Sequence, residues 1–162
     1  MKTGYMVMDF MTNEPVKIEA GATIKQVAQT MKEKSVGSIL IMEGNELSGI
    51  ITEKDIVTKI TANGESALEK KTNDIMTPYK ELITIKPGVD IMKAINLMKE
   101  NEIRRLPVMD NNKLKGMITI NDILKIEPTL FDLFVEKIRI KEEDRKLNIN
   151  SEEDKSFEED EE

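Results

Sequence analysis

Apolar and polar positions follow the same order twice along this chain. When residues 16–57 are aligned with residues 83–124 at a constant offset of 67, 14 of the 42 pairs are identical, and many others place apolar opposite apolar. In each copy a short apolar run leads into a glycine turn, a stretch with helical spacing, two further apolar runs and a second helical stretch. A fixed offset between similar segments indicates a duplicated unit. The pattern therefore predicts an α+β fold of two β-α-β-β-α repeats.

The individual elements can be placed on the sequence. The first strands are predicted at Val16–Ile18 and Ile83–Ile85. The helices that follow are predicted to begin after Thr23 and Asp90, which are favourable N-cap residues, and Thr23 with Gln26 has the spacing of a capping box. The paired apolar runs predict two hairpins, with strands at Ser38–Met42 and Leu47–Thr52, and at Leu106–Met109 and Leu114–Thr119.

The composition excludes several classes of site. The chain has 162 residues, no cysteine and no histidine. Disulfides and thiolate metal sites are therefore ruled out, and the commonest general base is absent. No apolar run approaches the roughly 18 residues of a membrane span, and the N-terminus lacks the layout of a signal peptide. We expect a soluble, cytoplasmic protein with no metal site, no catalytic residue and no required cofactor.

The net charge of −7 comes from the C-terminus. Residues 151–162 hold eight acids and one base, an excess of seven negative charges, so residues 1–150 are formally neutral. A neutral body gives little reason to expect nucleic-acid binding. The polar, acidic end is expected to be disordered. The predicted organisation is a first repeat at 5–60, a linker at 61–73, a second repeat at 74–126, a C-terminal helix at 127–147 and an acidic disordered tail at 148–162.

The end of each repeat carries the candidate binding chemistry. The stretch from Gly49 to Asp55 returns as the stretch from Gly116 to Asp122. A threonine at a helix start leaves backbone N–H groups free for an anion such as a phosphate. An aspartate three residues later can accept hydrogen bonds from both hydroxyls of a ribose. The same Thr-x-x-Asp spacing also forms a capping box without any ligand. A capping carboxylate turns back to its own helix, whereas a ribose-binding one faces a cleft.

These features together resemble the paired CBS module, named for cystathionine β-synthase. Each repeat has a Met-Thr pair before its first strand and a Gly-apolar-apolar-Thr-x-x-Asp close, and the run from Ile103 to Asp110 is also typical of the family. The resemblance covers about residues 5–126. It implies two repeats packed by their sheets about a pseudo-twofold axis, with two clefts that bind adenosine-containing ligands such as AMP, ADP, ATP or S-adenosylmethionine. Many such modules form homodimers.

The resemblance also assigns binding residues, because each cleft in the family uses the loop before the first strand of the opposite repeat. The residues expected at the repeat-two cleft are Thr119, Asp122, Arg105, Arg104, Ile118, Thr12, Pro15 and Val16. Those expected at the repeat-one cleft are Thr52, Asp55, Ser38, Gly37, Ile51, Thr77, Tyr79 and Leu82. Arg105 carries a charge where repeat one has the hydroxyl of Ser38, so the repeat-two cleft is expected to prefer ligands with phosphates. Solvated surface charges are the alternative interpretation of the two arginines.

Two functions remain open at this point. The first is a non-enzymatic sensor that binds an adenosine-containing ligand and signals to a protein partner. The second is a ligand-free dimeric scaffold that uses the C-terminal helix and the acidic tail for interaction. An enzyme is the least favoured class, because the sequence contains no P-loop, no Gly-x-Gly-x-x-Gly and no paired-carboxylate motif.

Overall fold

The structure is a computed structural model that describes residues 3–67 and 69–126. The described residues up to Asp122 form one compact unit. The helices are α1 Val7–Phe10, α2 Ile24–Lys34, α3 Glu53–Asp55, which continues as a π-helical turn at Ile56–Thr61, α4 Thr72–Ile75, α5 Ile91–Glu100 and α6 Ile120–Ile126, with a 3₁₀ turn at Tyr79–Glu81. The strands are β1 Lys17–Glu19, β2 Ser38–Glu43, β3 Glu46–Thr52, β4 Thr77–Pro78, β5 Arg105–Asp110 and β6 Lys113–Thr119. The predicted α+β fold of two repeats is confirmed. The predicted C-terminal helix and acidic tail lie outside the described residues.

The prediction of a first strand at Ile83–Ile85 in the second repeat was wrong. Repeat one forms β1 parallel to β2, but repeat two has only a single bridge between Ile85 and Val108. In repeat one, two backbone hydrogen bonds flank the ladder between β1 and β2. The N–H of Leu40 donates to the oxygen of Val16, and the N–H of Ala20 donates to the oxygen of Met42. The counterparts of those two donors, 67 positions later, are Pro107 and Pro87. Proline has no N–H, so both flanking bonds are lost and the ladder shortens to one rung.

A short segment at the start of each repeat joins the sheet of the other repeat. β4, at the start of repeat two, is antiparallel to β3 of repeat one and extends its sheet to four strands in the order β1-β2-β3-β4. Thr12, near the start of repeat one, bridges Met117 on β6 of repeat two. The helices α1 and α4 likewise bond to the opposite repeat. The N–H of Val7 in α1 donates to the oxygen of Val89, and the N–H of Thr72 in α4 donates to the oxygen of Ala22. The two repeats are thereby tied together by backbone hydrogen bonds.

Glycine makes room for both crossings. A Cβ added to Gly49 would lie 2.6 Å from the backbone oxygen of Thr77, and one added to Gly116 would lie 2.5 Å from that of Thr12. Real Cβ atoms essentially never come this close to another atom, so a side chain at either position would force the neighbouring backbone to move. The repeated glycine therefore serves the approach of another backbone segment.

The core lies on both faces of β2, whose first five residues are all buried. Ile39 and Ile41 pack with Ile24 and Val27 of α2 in the core of repeat one. The alternate residues of β2 face the other way, into a second cluster that includes Met109 of repeat two. The members of this second cluster are Leu40, Met42, Leu47, Ile50 and Met109. A strand buried on both sides explains the continuous apolar run in the sequence.

No helix in residues 3–67 and 69–126 is long and apolar enough to span a bilayer. The same residues contain no cluster of carboxylates that could hold a metal ion.

Candidate functional site

A cleft of about 460 Å³ opens beside the end of β3. Its volume lies within the range of small-molecule binding sites. Both repeats contribute to its wall. The lining residues are Gly37, Ile50, Thr52, Glu53, Lys54, Thr77, Glu81, Leu82, Ile83, Glu102, Ile103, Arg104, Arg105 and Pro107. We call this cavity the repeat-one cleft, because Thr52 marks the helix start that borders it.

Half of the residues expected at the repeat-one cleft line it. These are Gly37, Thr52, Thr77 and Leu82. The other four expected residues lie elsewhere and are Ser38, Ile51, Asp55 and Tyr79. Ser38 is buried opposite Thr52 in the β2–β3 ladder, and Ile51 packs into the core of repeat one. Tyr79 is 41% exposed, outside the cavity wall.

The residues expected at the repeat-two cleft are divided between two places. Arg104 and Arg105 line the repeat-one cleft, beside Thr52. Arg105 also lies opposite Thr119 in the β5–β6 ladder, so its backbone adjoins the second helix start. The remaining six, namely Thr119, Asp122, Ile118, Thr12, Pro15 and Val16, do not line this cavity. Ile118 and Pro15 are buried, and Val16 packs against the core of repeat one.

Each Thr-x-x-Asp motif forms a capping box. In repeat one, Oδ2 of Asp55 accepts hydrogen bonds from the backbone N–H of Thr52 at 2.8 Å and from its hydroxyl at 2.6 Å. In repeat two, Oδ2 of Asp122 accepts the same bonds from Thr119 at 2.9 and 2.6 Å. The threonine hydroxyls accept in turn from the aspartate N–H groups, both at 3.3 Å. Both carboxylates therefore turn back to their own helix, as the capping interpretation expects.

The two aspartates differ in the partner of their second carboxylate oxygen, Oδ1. Oδ1 of Asp55 forms an ion pair with Nζ of Lys59 at 2.9 Å, and the Asp55 side chain is only 15% exposed. Burial raises the pKa of Asp55, but the hydrogen bonds from Thr52 and Lys59 outweigh it and hold the pKa below its usual value. Lys59 also donates to the backbone oxygen of Ile75 at 2.7 Å. Its counterpart at the offset of 67 is Ile126, which carries no charge.

The repeat-one cleft contains charges of both signs. Three acids and three bases line it: Glu53, Glu81, Glu102, Lys54, Arg104 and Arg105. Burial lowers the pKa of Arg105, and the nearby carboxylate of Glu53 opposes that shift. The Glu53 side chain rests against Gly37, where an added Cβ would lie 3.0 Å from one carboxylate oxygen. Glu53 and Arg105 therefore line the same cleft and influence each other electrostatically.

The sequence did not single out the three acids of the charged wall. Glu53 occupies a variable position inside the Thr-x-x-Asp motif, and Glu81 and Glu102 belong to turns. Glu102 has a positive φ of 55°, as does its counterpart Ser35 at 53°. That shared backbone conformation ends both α2 and α5 and directs the chain towards the strand that follows. In the sequence, only their closeness to residues already expected at the clefts pointed to these three acids.

The comparison with known families agrees with this architecture. Residues 7–62 and 73–128 each match the model of the CBS domain. The chain belongs to the CBS domain family. It is 32% identical to the CBS domain-containing protein YhcV of Bacillus subtilis over 117 residues, which cover 72% of this chain and 81% of that protein. The tandem CBS resemblance seen in the sequence is thereby confirmed.

Other relatives extend beyond the matched region. An uncharacterised protein of Methanopyrus kandleri is 36% identical over 133 residues, which cover 81% of this chain and 64% of that protein. The mitochondrial CBS domain-containing protein CBSX3 of Arabidopsis thaliana is 35% identical over 106 residues, or 64% of this chain and 52% of that protein. This chain therefore spans between half and two thirds of the length of these two relatives.

Solved structures share the fold. An uncharacterised conserved protein of Pyrococcus horikoshii superposes with a TM-score of 0.70 at 21% identity, covering 77% of this chain and 93% of that one. The CBS domain pair of protein MJ0100, solved in complex with 5′-methylthioadenosine and S-adenosyl-L-methionine, gives a TM-score of 0.65 at 23% identity, over 75% of this chain and 94% of that one.

Proposed function

We propose that this protein is a non-enzymatic regulatory module that binds an adenosine-containing ligand between its CBS repeats and signals occupancy to a protein partner. The observation that carries the proposal is the cleft of about 460 Å³, whose wall combines residues from both repeats. The ligands bound by the CBS pair of protein MJ0100 support the adenosine class. We further propose a cytoplasmic homodimer; hexameric relatives, the CBS-CP12 proteins of bloom-forming cyanobacteria, support self-association.

The chemistry of the repeat-one cleft suits each part of such a ligand. Ile50, Leu82 and Ile103 offer apolar surface for a purine ring. Arg104 and Arg105 supply positive charge and planar donors for a phosphate or carboxylate. The helix start contributes less than an uncapped one would, because the N–H groups of Thr52, Glu53 and Asp55 already have acceptors within the protein. The arginines are therefore proposed as the main anion-binding groups.

The proposed signalling uses the wall that the two repeats share. A ligand in contact with both repeats is able to stabilise one arrangement of the repeats relative to another. Such a ligand can act as a switch only if it binds the two arrangements with different affinity. The backbone crossings at Gly49 and Gly116 provide the connection through which a change in one repeat reaches the other.

A thermal-shift panel with AMP, ADP, ATP, adenosine and S-adenosylmethionine tests the proposal. A ligand at 100 times its Kd is expected to stabilise the protein by about 2.7 kcal/mol. Arg105→Ala should weaken binding of AMP more than binding of adenosine. Lys32→Ala is the matched control, because Lys32 is an exposed base on α2 that does not line the cleft. No shift with any of these ligands would contradict the proposal.

A ligand-free dimeric scaffold is the second candidate. The observation in its favour is that both capping boxes are complete without any ligand, so neither helix start requires one. A scaffold predicts no nucleotide-dependent shift and a dimer whose dissociation is unaffected by AMP.

A further inference from the structure

The charged side chains of the repeat-one cleft share a cavity without pairing with one another. Five of the six form no ion pair and no side-chain hydrogen bond with any residue within 3–67 and 69–126, and these five are Glu53, Lys54, Glu81, Arg104 and Arg105. Charges of both signs therefore remain available to a bound molecule. A molecule that itself carries both signs can form a charge-assisted hydrogen bond with each.

The opposite charges stand at positions where the two repeats differ. At the offset of 67, Glu53 of repeat one corresponds to Ile120, which is a buried apolar residue. Arg105 of repeat two corresponds to Ser38, which is buried and uncharged. Repeat one thus supplies the acid and repeat two supplies the base. Divergence of the repeats, rather than the duplicated motif, produced this combination of signs in one cavity.

The carboxylate of Glu53 lies beside the backbone of Gly37. A Cβ added to Gly37 would lie 3.0 Å from Oε2 and 3.1 Å from Cδ of Glu53, so the glycine leaves room for the carboxylate there. Gly37, Glu53 and Arg105 all line the cavity. Glu53 acts electrostatically on Arg105, but the two side chains are too far apart to form an ion pair. A ligand group that carries both charges can contact both residues.

The charges that line the cavity balance, since three acids offset three bases. The attraction that a purely basic pocket exerts on a phosphate is therefore largely cancelled in this one. An amino-acid group has an ammonium and a carboxylate, so it has no net charge, yet each of its ends finds a partner of opposite sign in the wall. The volume of about 460 Å³ lies in the range of cavities that hold whole small molecules.

We infer that Glu53 is a specificity-determining residue, through which the repeat-one cleft selects adenosine derivatives that end in an amino-acid group over those that end in a phosphate. The carboxylate of Glu53 accepts from the ligand's ammonium, and the guanidinium of Arg105 donates to its carboxylate. Side chains of the cavity wall, rather than backbone N–H groups, carry this recognition. The inference rests on the proposed adenosine-ligand function and narrows its ligand class.

Calorimetry on the full chain tests the inference with three probes that share the adenosine part. S-adenosyl-L-homocysteine ends in an amino-acid group, 5′-methylthioadenosine is a thioether of the same nucleoside without that group, and AMP carries a phosphate. The unmodified chain is expected to bind S-adenosyl-L-homocysteine more tightly than either of the others. The amino-acid group is then the part of the ligand that the cleft prefers.

Two substitutions of Glu53 change the charge in steps. Glu53→Gln should lower the affinity for S-adenosyl-L-homocysteine relative to 5′-methylthioadenosine about 1.4- to fivefold, since an exposed charge pair contributes about 0.2–1 kcal/mol. Glu53→Lys changes the charge by two units, so the loss should be about two- to 25-fold, and the affinity for AMP should rise. Glu33→Gln and Glu33→Lys are the matched controls, because Glu33 is an exposed acid on α2 that does not line the cleft. They should leave all three affinities unchanged.

The outcomes separate this inference from the proposed function. If the unmodified chain binds AMP or ATP at least as tightly as S-adenosyl-L-homocysteine, or if Glu53→Lys leaves the ratio of affinities unchanged, the inference is overturned and the proposed function stands. Equal affinity for S-adenosyl-L-homocysteine and 5′-methylthioadenosine would likewise overturn it. If neither these probes nor the ligands of the thermal-shift panel bind, the proposed function falls and the inference with it. A shift of preference towards AMP in Glu53→Lys that Glu33→Lys lacks would support both.

Discussion

The substitution Gly116→Ala tests the exchange of backbone segments between the repeats. The new Cβ would lie 2.5 Å from the backbone oxygen of Thr12 and 3.1 Å from Sδ of Met11. An ordinary contact is about 3.4 Å, so the Thr12 carbonyl must retreat by about 0.9 Å (3.4 minus 2.5). Thr12 and Met117 exchange two backbone hydrogen bonds, of 2.8 and 3.0 Å. A displacement of that size takes both bonds out of favourable range.

The expected loss of stability follows from these two bonds. Each contributes a net of about 0.5–1.5 kcal/mol, so losing both costs about 1–3 kcal/mol. Replacing glycine lowers the entropy of the unfolded chain and returns about 0.4–1 kcal/mol. The net destabilisation is then about 1–2 kcal/mol, which corresponds to a fall in Tm of about 5 °C for a chain of this length.

The assay is urea or thermal unfolding followed by circular dichroism, with Gly88→Ala as the matched control. An added Cβ at Gly88 meets no atom within 4 Å, and the φ of Gly88 lies outside the left-handed region. This control should be neutral or stabilise by up to about 1 kcal/mol. The reasoning would be refuted by a Gly116→Ala variant whose midpoint equals that of Gly88→Ala.

Three further predictions concern single side chains. Thr72→Val should destabilise by about 1–3 kcal/mol, measured by urea unfolding, because Thr72 is fully buried and its hydroxyl accepts from the N–H of Gly21 at 2.8 Å. Hydrogen bonds, that from the N–H of Met92 foremost, hold the pKa of Asp90 below its usual value, so its contribution to stability is present above about pH 4 and is lost as pH falls through the folded-state pKa. Asp90→Asn should therefore lower the urea midpoint at pH 7 and flatten its decline towards pH 3. Glu53→Gln should raise affinity for AMP relative to adenosine about 1.4- to fivefold in calorimetry, since a partly exposed charge pair is worth about 0.2–1 kcal/mol.

Two of these predictions have a control variant, and the third has an outcome that would contradict it. Thr72→Ser retains the hydroxyl and should recover most of the stability lost in the valine variant. An Asp90→Asn variant with the same acid dependence as the unmodified protein would contradict the assignment for Asp90. Glu81→Gln removes an acid from the same cleft, whereas the charges that shift the pKa of Arg105 are those of Glu53, Arg104 and Asp55. Equal effects of Glu53→Gln and Glu81→Gln would mean that only the total charge of the cleft matters.

The duplicated sequence pattern was sufficient to predict the fold. The constant offset identified the repeats, and Thr23 and Asp90 are the N-caps observed. The shortened strand at Ile85 was also readable, since Pro87 and Pro107 replace two N–H donors, but an apolar run alone does not reveal which backbone donors a ladder needs.

The crossing of short segments between repeats could not be read from periodicity. β4 has only two residues, and its counterpart near the start of repeat one, Thr12, forms a single bridge with Met117, so neither produces a recognisable alternation. Gly49 and Gly116 were visible as repeated glycines, but their close partner could equally have been a ligand or a backbone. The contact distances identify the backbone of the other segment.

The orientation of side chains in the site was likewise beyond the sequence. A Thr-x-x-Asp motif is compatible with a cap and with a ligand contact, and the difference lies in where the carboxylate points. The ion pair between Asp55 and Lys59 spans four residues across the junction of α3 and a π-helical turn, a geometry that the sequence pattern does not specify. The side of the sheet faced by Arg104 and Arg105 depends on how the two repeats pack together.

Chemical-shift mapping of the amide resonances during titration with AMP shows directly whether the cleft between the repeats binds a ligand. We expect the largest changes among residues of the repeat-one cleft, such as Gly37, Thr52, Lys54, Arg104 and Arg105, and saturation at a defined stoichiometry. Absence of saturable changes, or changes confined to the exposed face of α2, would contradict a ligand-binding cleft between the repeats.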